Sequence, residues 1–225
     1  MRIVDGASRE VRWPKVEFFW RKNADPVADA ILMPGVEPNL KWRSFCSEVI
    51  DLARSLGAKR IITLGALVTD AVHTRPVPLT GFSTDPDVQA KFAARNISRS
   101  NYEGPTGIVG VLHHACSQAG LPSVTLWGAV PHYVAAANNP KTALALLRKV
   151  EVLVGVSVDV SELETAAADY ERQVALAVQS DPDIQAFVER LERAAESEEQ
   201  GLPEHMPSGD VLAREFQRFL RQRGQ

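Results

Sequence analysis

Apolar positions in this chain form short continuous runs in its first two thirds and helical stripes in its last third. Val16-Glu17-Phe18-Phe19-Trp20 reads as a strand, and Ala30-Ile31-Leu32-Met33 as a buried strand leaving at Pro34-Gly35. Trp42, Phe45, Cys46, Val49, Ala53 and Leu56 then recur at helical spacing, with Gly57 as the C-terminal cap. Arg60-Ile61-Ile62-Thr63-Leu64 is the next buried strand, ending at Gly65. Strand, helix and strand at this spacing predict a right-handed βαβ unit. Val77 to Phe82 reads as extended, and Pro78 confines it to an edge or an irregular position. Asp87 to Phe92 predicts a short helix.

Between Glu103 and Lys141 the pattern changes, because the 37 positions from Gly104 to Pro140 carry no Asp, Glu, Lys or Arg. Pro105, Pro122 and Pro131 break the stretch and several polar side chains interrupt it, so it is not a membrane span. It reads instead as the buried middle of an α/β protein. A helix capped by Thr106 carries Ile108, Val109, Val111, Leu112, Ala115, Cys116 and Ala119, and a strand follows from Pro122 to Trp127. Asn139-Pro140 supplies a cap and a first-turn proline for another helix. That helix is expected to run through the β-branched Val150–Val154 segment to Gly155.

After Gly155 the strands stop. Ser161 and Glu164 have capping-box spacing ahead of a stripe through Leu163, Ala167, Tyr170 and Val174. Asp181-Pro182 opens a second helix, and Ser208 caps a last one bearing Val211, Leu212, Phe216, Phe219 and Leu220. The expected architecture is an α/β domain over residues 1–155, its mainly parallel sheet flanked by helices, with a C-terminal α-helical appendage over 156–225.

Charge supports that division. Residues 1–155 carry 18 basic and 13 acidic side chains, and residues 156–225 carry 7 and 15. The excess of five positive charges in the first part lies in no Lys/Arg cluster, which excludes nucleic acid as an expected partner. Met1 to Asp5 form no apolar leader, and the two cysteines, Cys46 and Cys116, lie on apolar helix faces. The expected location is the cytoplasm, with no membrane association.

Candidate chemistry gathers where strands end, since loops at the C-terminal edge of a parallel sheet converge on a cleft. Those exits bring in Glu37, then Gly65 with Asp70, His73 and Arg75, then His132. The helix start at Thr106-Gly107 offers free N–H groups that can hold an anion. His73 and His132 are candidate proton carriers, and Arg75 a candidate anion partner. Gly104, Gly107 and Gly110 do not make the dinucleotide fingerprint, and there is no P-loop, zinc spacing or nucleophile elbow. No cofactor and no metal are expected. These residues leave open a small-molecule hydrolase- or phosphorylase-like enzyme using the cleft.

Four segments in this order resemble the PAC2 family, named after the proteasome assembly chaperone 2, and its actinobacterial branch in particular. They are Gly35-Val36-Glu37-Pro38 with Trp42; Gly65-Ala66-Leu67 leading to His73-Thr74-Arg75-Pro76-Val77-Pro78 and Gly81; Gly104-Pro105-Thr106-Gly107-Ile108 with Gly110; and Leu126-Trp127 with Val130-Pro131-His132-Tyr133. The resemblance implies a phosphorylase-like α/β fold with C-terminal helices, homo-oligomers that are often trimers, and a protein-binding role toward a proteasome-related partner. Two departures stand out. The family's usual opening strand, Gly-Trp-Asn-Asp-Ala-like turn and helix have no counterpart here: either the start is truncated or a strand and a helix are lost, and loss of a central strand would expose a sheet edge. The chain also ends Arg223-Gly224-Gln225, where proteasome-docking tails carry a hydrophobic-Tyr-X ending.

Overall fold

The computed structural model describes residues 2–4, 8–10, 14–23, 29–100, 102–134 and 138–199. The expected Ser208-capped helix lies outside these residues. The chain divides into two compact units, Met1–Val174 and Ala175–Gln225.

The first unit opens with two antiparallel ribbons. β1 (Arg2–Val4) pairs with β2 (Ser8–Glu10), and β3 (Phe19–Arg21) with β4 (Ala30–Leu32). There follow α1 (Trp42–Ser55), β5 (Ile61–Thr69), β6 (Leu79–Ser83), α2 (Pro86–Ala90) and β7 (Ser98–Arg99). α3 (Ile108–Gln118), β8 (Ser123–Pro131) and α4 (Pro140–Val154) complete the α/β body. α5 (Ser161–Gln179) begins in this unit and ends in the second, which also holds α6 (Pro182–Glu199). Asp181 caps α6 by accepting from the amides of Asp183 and Ile184.

The central sheet has the order β5-β8-β6-β7, with β5 parallel to β8, β8 antiparallel to β6, and β6 parallel to β7. β8 is interior and almost wholly buried, which accounts for the charge-free sequence around it: a strand covered on both faces has no solvated position for a charge. Its alternate residues separate two cores. Val124 and Leu126 pack with Leu79, Phe92, Ile97 and Leu146 on the α4 side. Across the sheet, Cys46 and Ile50 of α1 meet Leu112 and Cys116 of α3. Burial pushes the Cys116 thiol up to about 11, with the neighbouring Cys46 adding to the rise.

Three expected features differ. Ala30–Leu32 is not a buried strand of the central sheet. It pairs with β3 in a two-stranded ribbon that leaves Leu32 exposed, so β4-α1-β5 is not a βαβ unit of one sheet. An apolar run specifies burial but not a pairing partner. Leu79–Ser83 is an interior strand rather than an edge or irregular segment. Pro78 stands just before it and offers only its carbonyl, accepted from the Ala129 amide at 3.0 Å, so the missing N–H costs no ladder bond. The Ser161–Glu164 capping box does not form. Ser161 donates to Asp159, and the Glu164 carboxylate pairs with Arg148. Asn139 behaves as expected, its Oδ1 accepting from the Thr142 amide at 2.9 Å, and Val150–Val154 is helical up to the left-handed Gly155.

Candidate functional site

α1 and α3 each precede a strand and run antiparallel to it, so both present their N-termini toward the C-terminal ends of β5 and β8. β5 and β8 finish side by side, with Thr69 in register with Pro131. The candidate residues sort into two groups around this edge.

The first group lies in the loops that follow β5 and β8. His73 is 5% exposed, and its amide donates to Tyr133 Oη at 2.9 Å. Its ring Nδ1 meets the same hydroxyl at 2.8 Å, with the two rings edge to face. His132 Nδ1 lies 3.2 Å from Asp70 Oδ1, and the Asp70 side chain is 81% exposed. His132 also packs edge-on against Tyr133. Lys141, at the start of α4, donates to the carbonyls of His73 at 2.6 Å and Arg75 at 2.8 Å, and pairs with Glu171 of α5. Asn139 ties in α5 as well, donating from Nδ2 to Tyr170 Oη at 3.1 Å.

These bonds fasten the loop from Asp70 to Pro78 onto α4 and α5. The cavity left among Val72, His73, Asn139, Lys141 and Tyr170 measures about 10 Å³, roughly the space of one water. His73 therefore faces Tyr133 rather than a ligand-sized cleft. The solvent-facing part of this group is the Asp70–His132 pair.

The second group sits at the start of α3. Gly107, not Thr106, is the N-cap residue, and the Thr106 side chain makes no cap hydrogen bond. Glu37 supplies the anion instead, its Oε1 accepting from the Ile108 amide at 3.3 Å. A Cβ at Gly107 would stand 3.2 Å from that carboxylate, so the absent side chain lets Glu37 approach. Glu37 is held in place by its own loop. The Trp42 indole donates to the Pro38 carbonyl, and Lys41 adopts a left-handed conformation (φ 58°) to start α1. The helix N-terminus expected to receive an external anion thus holds one of the chain's own.

Gly65 belongs to neither group. It lies within β5, which continues past it to Thr69, and the Trp127 ring occupies the space a Cβ would need. Its role is close packing of β5 on β8. Arg75 lines the small cavity. Tyr133, Lys141 and Tyr170 were not among the expected site residues. Lys141 carried a signal, as the first charge after the 37-residue stretch. Tyr133 follows His132 directly. Among the described residues, no cluster of three His, Cys, Asp or Glu can hold a metal ion, and no helix is long and apolar enough to cross a membrane.

Fold and geometry define a class: an α/β protein with a mostly parallel central sheet, whose strand-end loops are locked to the following helices by internal hydrogen bonds. The chain belongs to the PAC2 family, whose model matches residues 1–178. It is similar to a proteasome-assembly chaperone homologue from Mycobacterium tuberculosis at 40% identity and a TM-score of 0.73, over 83% of this chain and 78% of that one. A PAC2 family protein from Streptomyces avermitilis is also 40% identical, with a TM-score of 0.70 over 83% and 77%. An archaeal proteasome activator from Pyrococcus furiosus shares the fold at 19% identity, with a TM-score of 0.62 over 78% and 75%. No curated protein matches the chain.

Proposed function

We propose that this PAC2 protein acts by protein–protein association, as a proteasome-assembly-chaperone-like factor in the cytoplasm. The observation that carries this reading is a contrast in exposure. The polar groups at the strand ends are turned onto one another around a cavity of about 10 Å³, whereas large apolar side chains stand in solvent. Trp20 is 68% exposed, and Phe19, Leu32, Val36 and Leu40 are exposed with it on or near the β3–β4 ribbon. Exposed aromatic and aliphatic side chains of this kind suit a protein partner, where aromatic anchors contribute most to binding. Similarity to the mycobacterial proteasome-assembly chaperone homologue supports a proteasome subunit as that partner.

The test is co-elution. The full chain is mixed with purified proteasome α-subunits and followed by size exclusion, with assembly of the core particle timed in parallel. The reading expects a shared peak or altered assembly, and loss of both in Trp20→Ala. Separate elution with unchanged assembly kinetics would contradict it.

A further inference from the structure

β6 runs antiparallel to β8 and ends near its start, at the end of the sheet opposite the strand-exit loops. A groove of about 350 Å³ opens there, between the α2 segment and the last turn of α4. That volume suits a small ligand, which the 10 Å³ at the strand exits does not. The lining combines two kinds of side chain. Val88, Val152 and Leu153 are apolar, with Val152 exposed, whereas Arg60, Asp85, Asp87, Lys91 and Arg95 are charged. Internal bonds hold this lining in place. Asp85 Oδ1 accepts from the amides of Asp87 at 3.0 Å and Val88 at 3.4 Å, and its Oδ2 from Arg60 at 3.1 Å, so this carboxylate is fully used. Lys149 of α4 donates to the Arg95 carbonyl at 2.6 Å and ties the 3₁₀ turn Ala93–Arg95 to α4. The Arg95 guanidinium is oriented by donating to the Lys91 carbonyl at 3.2 Å. Charge along the groove is unbalanced. With Arg60 and Asp85 paired, Lys91 and Arg95 remain against Asp87, one positive charge in excess. Among the described residues no carboxylate pairs with Lys91 or Arg95, and the buried Arg60 Nε–H has no acceptor.

We propose that this groove binds a carboxylate carried beside an amide and an apolar side chain, the chemistry shared by a small N-acyl amino acid and a free polypeptide C-terminus. The carboxylate lies on Lys91 and Arg95, which offer an ammonium and a planar fork of N–H donors. The neighbouring amide N–H is accepted by Asp87, the carboxylate of the groove that Arg60 does not neutralise. The apolar side chain lies against Val152 and Leu153 and covers surface that is otherwise wet. Each part of the ligand thus answers one feature of the lining. A phosphate monoester fits less well, since its second negative charge would face Asp87 and the apolar lining would go unused. The site uses none of the apolar residues around Trp20 and needs no proteasome subunit, so it stands or falls apart from the association reading.

Amide NMR shifts of the full chain test this, in titrations to millimolar concentration with three probes. They are N-acetyl-leucine, its C-terminal amide, and an acetylated tripeptide ending in a free leucine carboxylate. N-acetyl-leucine is expected to shift the amides of Lys91, Arg95, Val152 and Leu153 and to leave those of Asp70 and His73 in place. The amide probe, which lacks the charge, should shift none of them. Tighter binding of the tripeptide identifies a polypeptide C-terminus as the source of the ligand, and equal or weaker binding identifies a small acid. Lys91→Ala and Arg95→Ala should each weaken N-acetyl-leucine about tenfold. Lys149 holds the Arg95 carbonyl rather than its side chain, so Arg95→Ala keeps that tether, and Lys91 is exposed. Unchanged shifts elsewhere in the spectrum show that the variants are folded. No localised shifts with either acid, equal shifts with the amide probe, or undiminished binding in both variants would overturn the proposal.

Discussion

Leu64 and Leu126 face each other in register on the same side of the sheet, yet one is 47% exposed and the other fully buried. The difference is the layer above them. α4 lies over β8 and brings Leu146 onto Leu126, but nothing among the described residues plays that part for Leu64. The same contrast separates the strand ends from the strand edge. At the ends, His73 is bonded to Tyr133 and Lys141, and Asn139 to Tyr170. Along β5, Leu64, Leu67 and Val68 are exposed, and among the described residues no strand pairs with its outer side. Where strand-exit reasoning places a ligand cleft, the polar side chains are bonded to one another; along β5, apolar side chains such as Leu64 and Val68 are exposed.

The largest effect should come from removing the buried member of the leucine pair. Leu126→Ala is expected to cost about 2–5 kcal/mol in denaturant unfolding, and Leu64→Ala under about 1 kcal/mol. Equal costs would mean that Leu64 is as well covered as Leu126 and would break the comparison.

Two substitutions sharpen it next. Gly65→Ala must displace the Trp127 ring and is expected to cost about 1–3 kcal/mol, read with the loss of native tryptophan fluorescence. Tyr133→Phe removes the hydroxyl that accepts from the buried His73 amide, and about 0.5–1.5 kcal/mol is expected from losing that bond. A neutral Tyr133→Phe would show that the strand-end loop is not closed as described.

Much of this was legible in the sequence, and what was not follows a pattern. β8, the Asn139 cap and the helical course of Val150–Val154 depend on local periodicity and local capping chemistry, and these the chain states directly. The α3 cap depends on Glu37, 71 residues away from Ile108 in sequence, so Thr106 was a fair local choice that a distant carboxylate displaced. Ala30–Leu32 reads as buried because it is apolar, but its partner is chosen by tertiary packing. In the candidate site, His73, Asp70 and His132 do gather at one edge, as strand-exit reasoning suggests. The hydroxyl and ammonium that join them, on Tyr133 and Lys141, carry no pattern that marks such a role in sequence.

A smaller effect is expected at the helix start. Glu37→Ala should cost about 0.5–1 kcal/mol by uncapping α3, with Glu37→Gln in between, measured by thermal unfolding. The least effect concerns pH. Desolvation, with the neighbouring His114 adding to it, holds the His113 pKa below its ordinary value of 6.5. The unfolded chain therefore binds that proton first as pH falls. Stability contributed by neutral His113 is complete above about pH 6.5 and declines as pH drops from there through the lowered folded value. His113→Asn should flatten that part of the stability profile, and an unchanged slope would assign it elsewhere.

The central claim is that the polar groups at the strand ends are bonded to one another, so that His73 faces Tyr133 and not a ligand-sized cleft. Residue-resolved amide hydrogen exchange tests it directly. The His73 amide should be protected along with those of Thr63, Gly65 and Leu67 in β5, and Tyr133→Phe should speed exchange at His73 while leaving the strand unchanged. A His73 amide that exchanges as fast as an exposed loop would contradict the account.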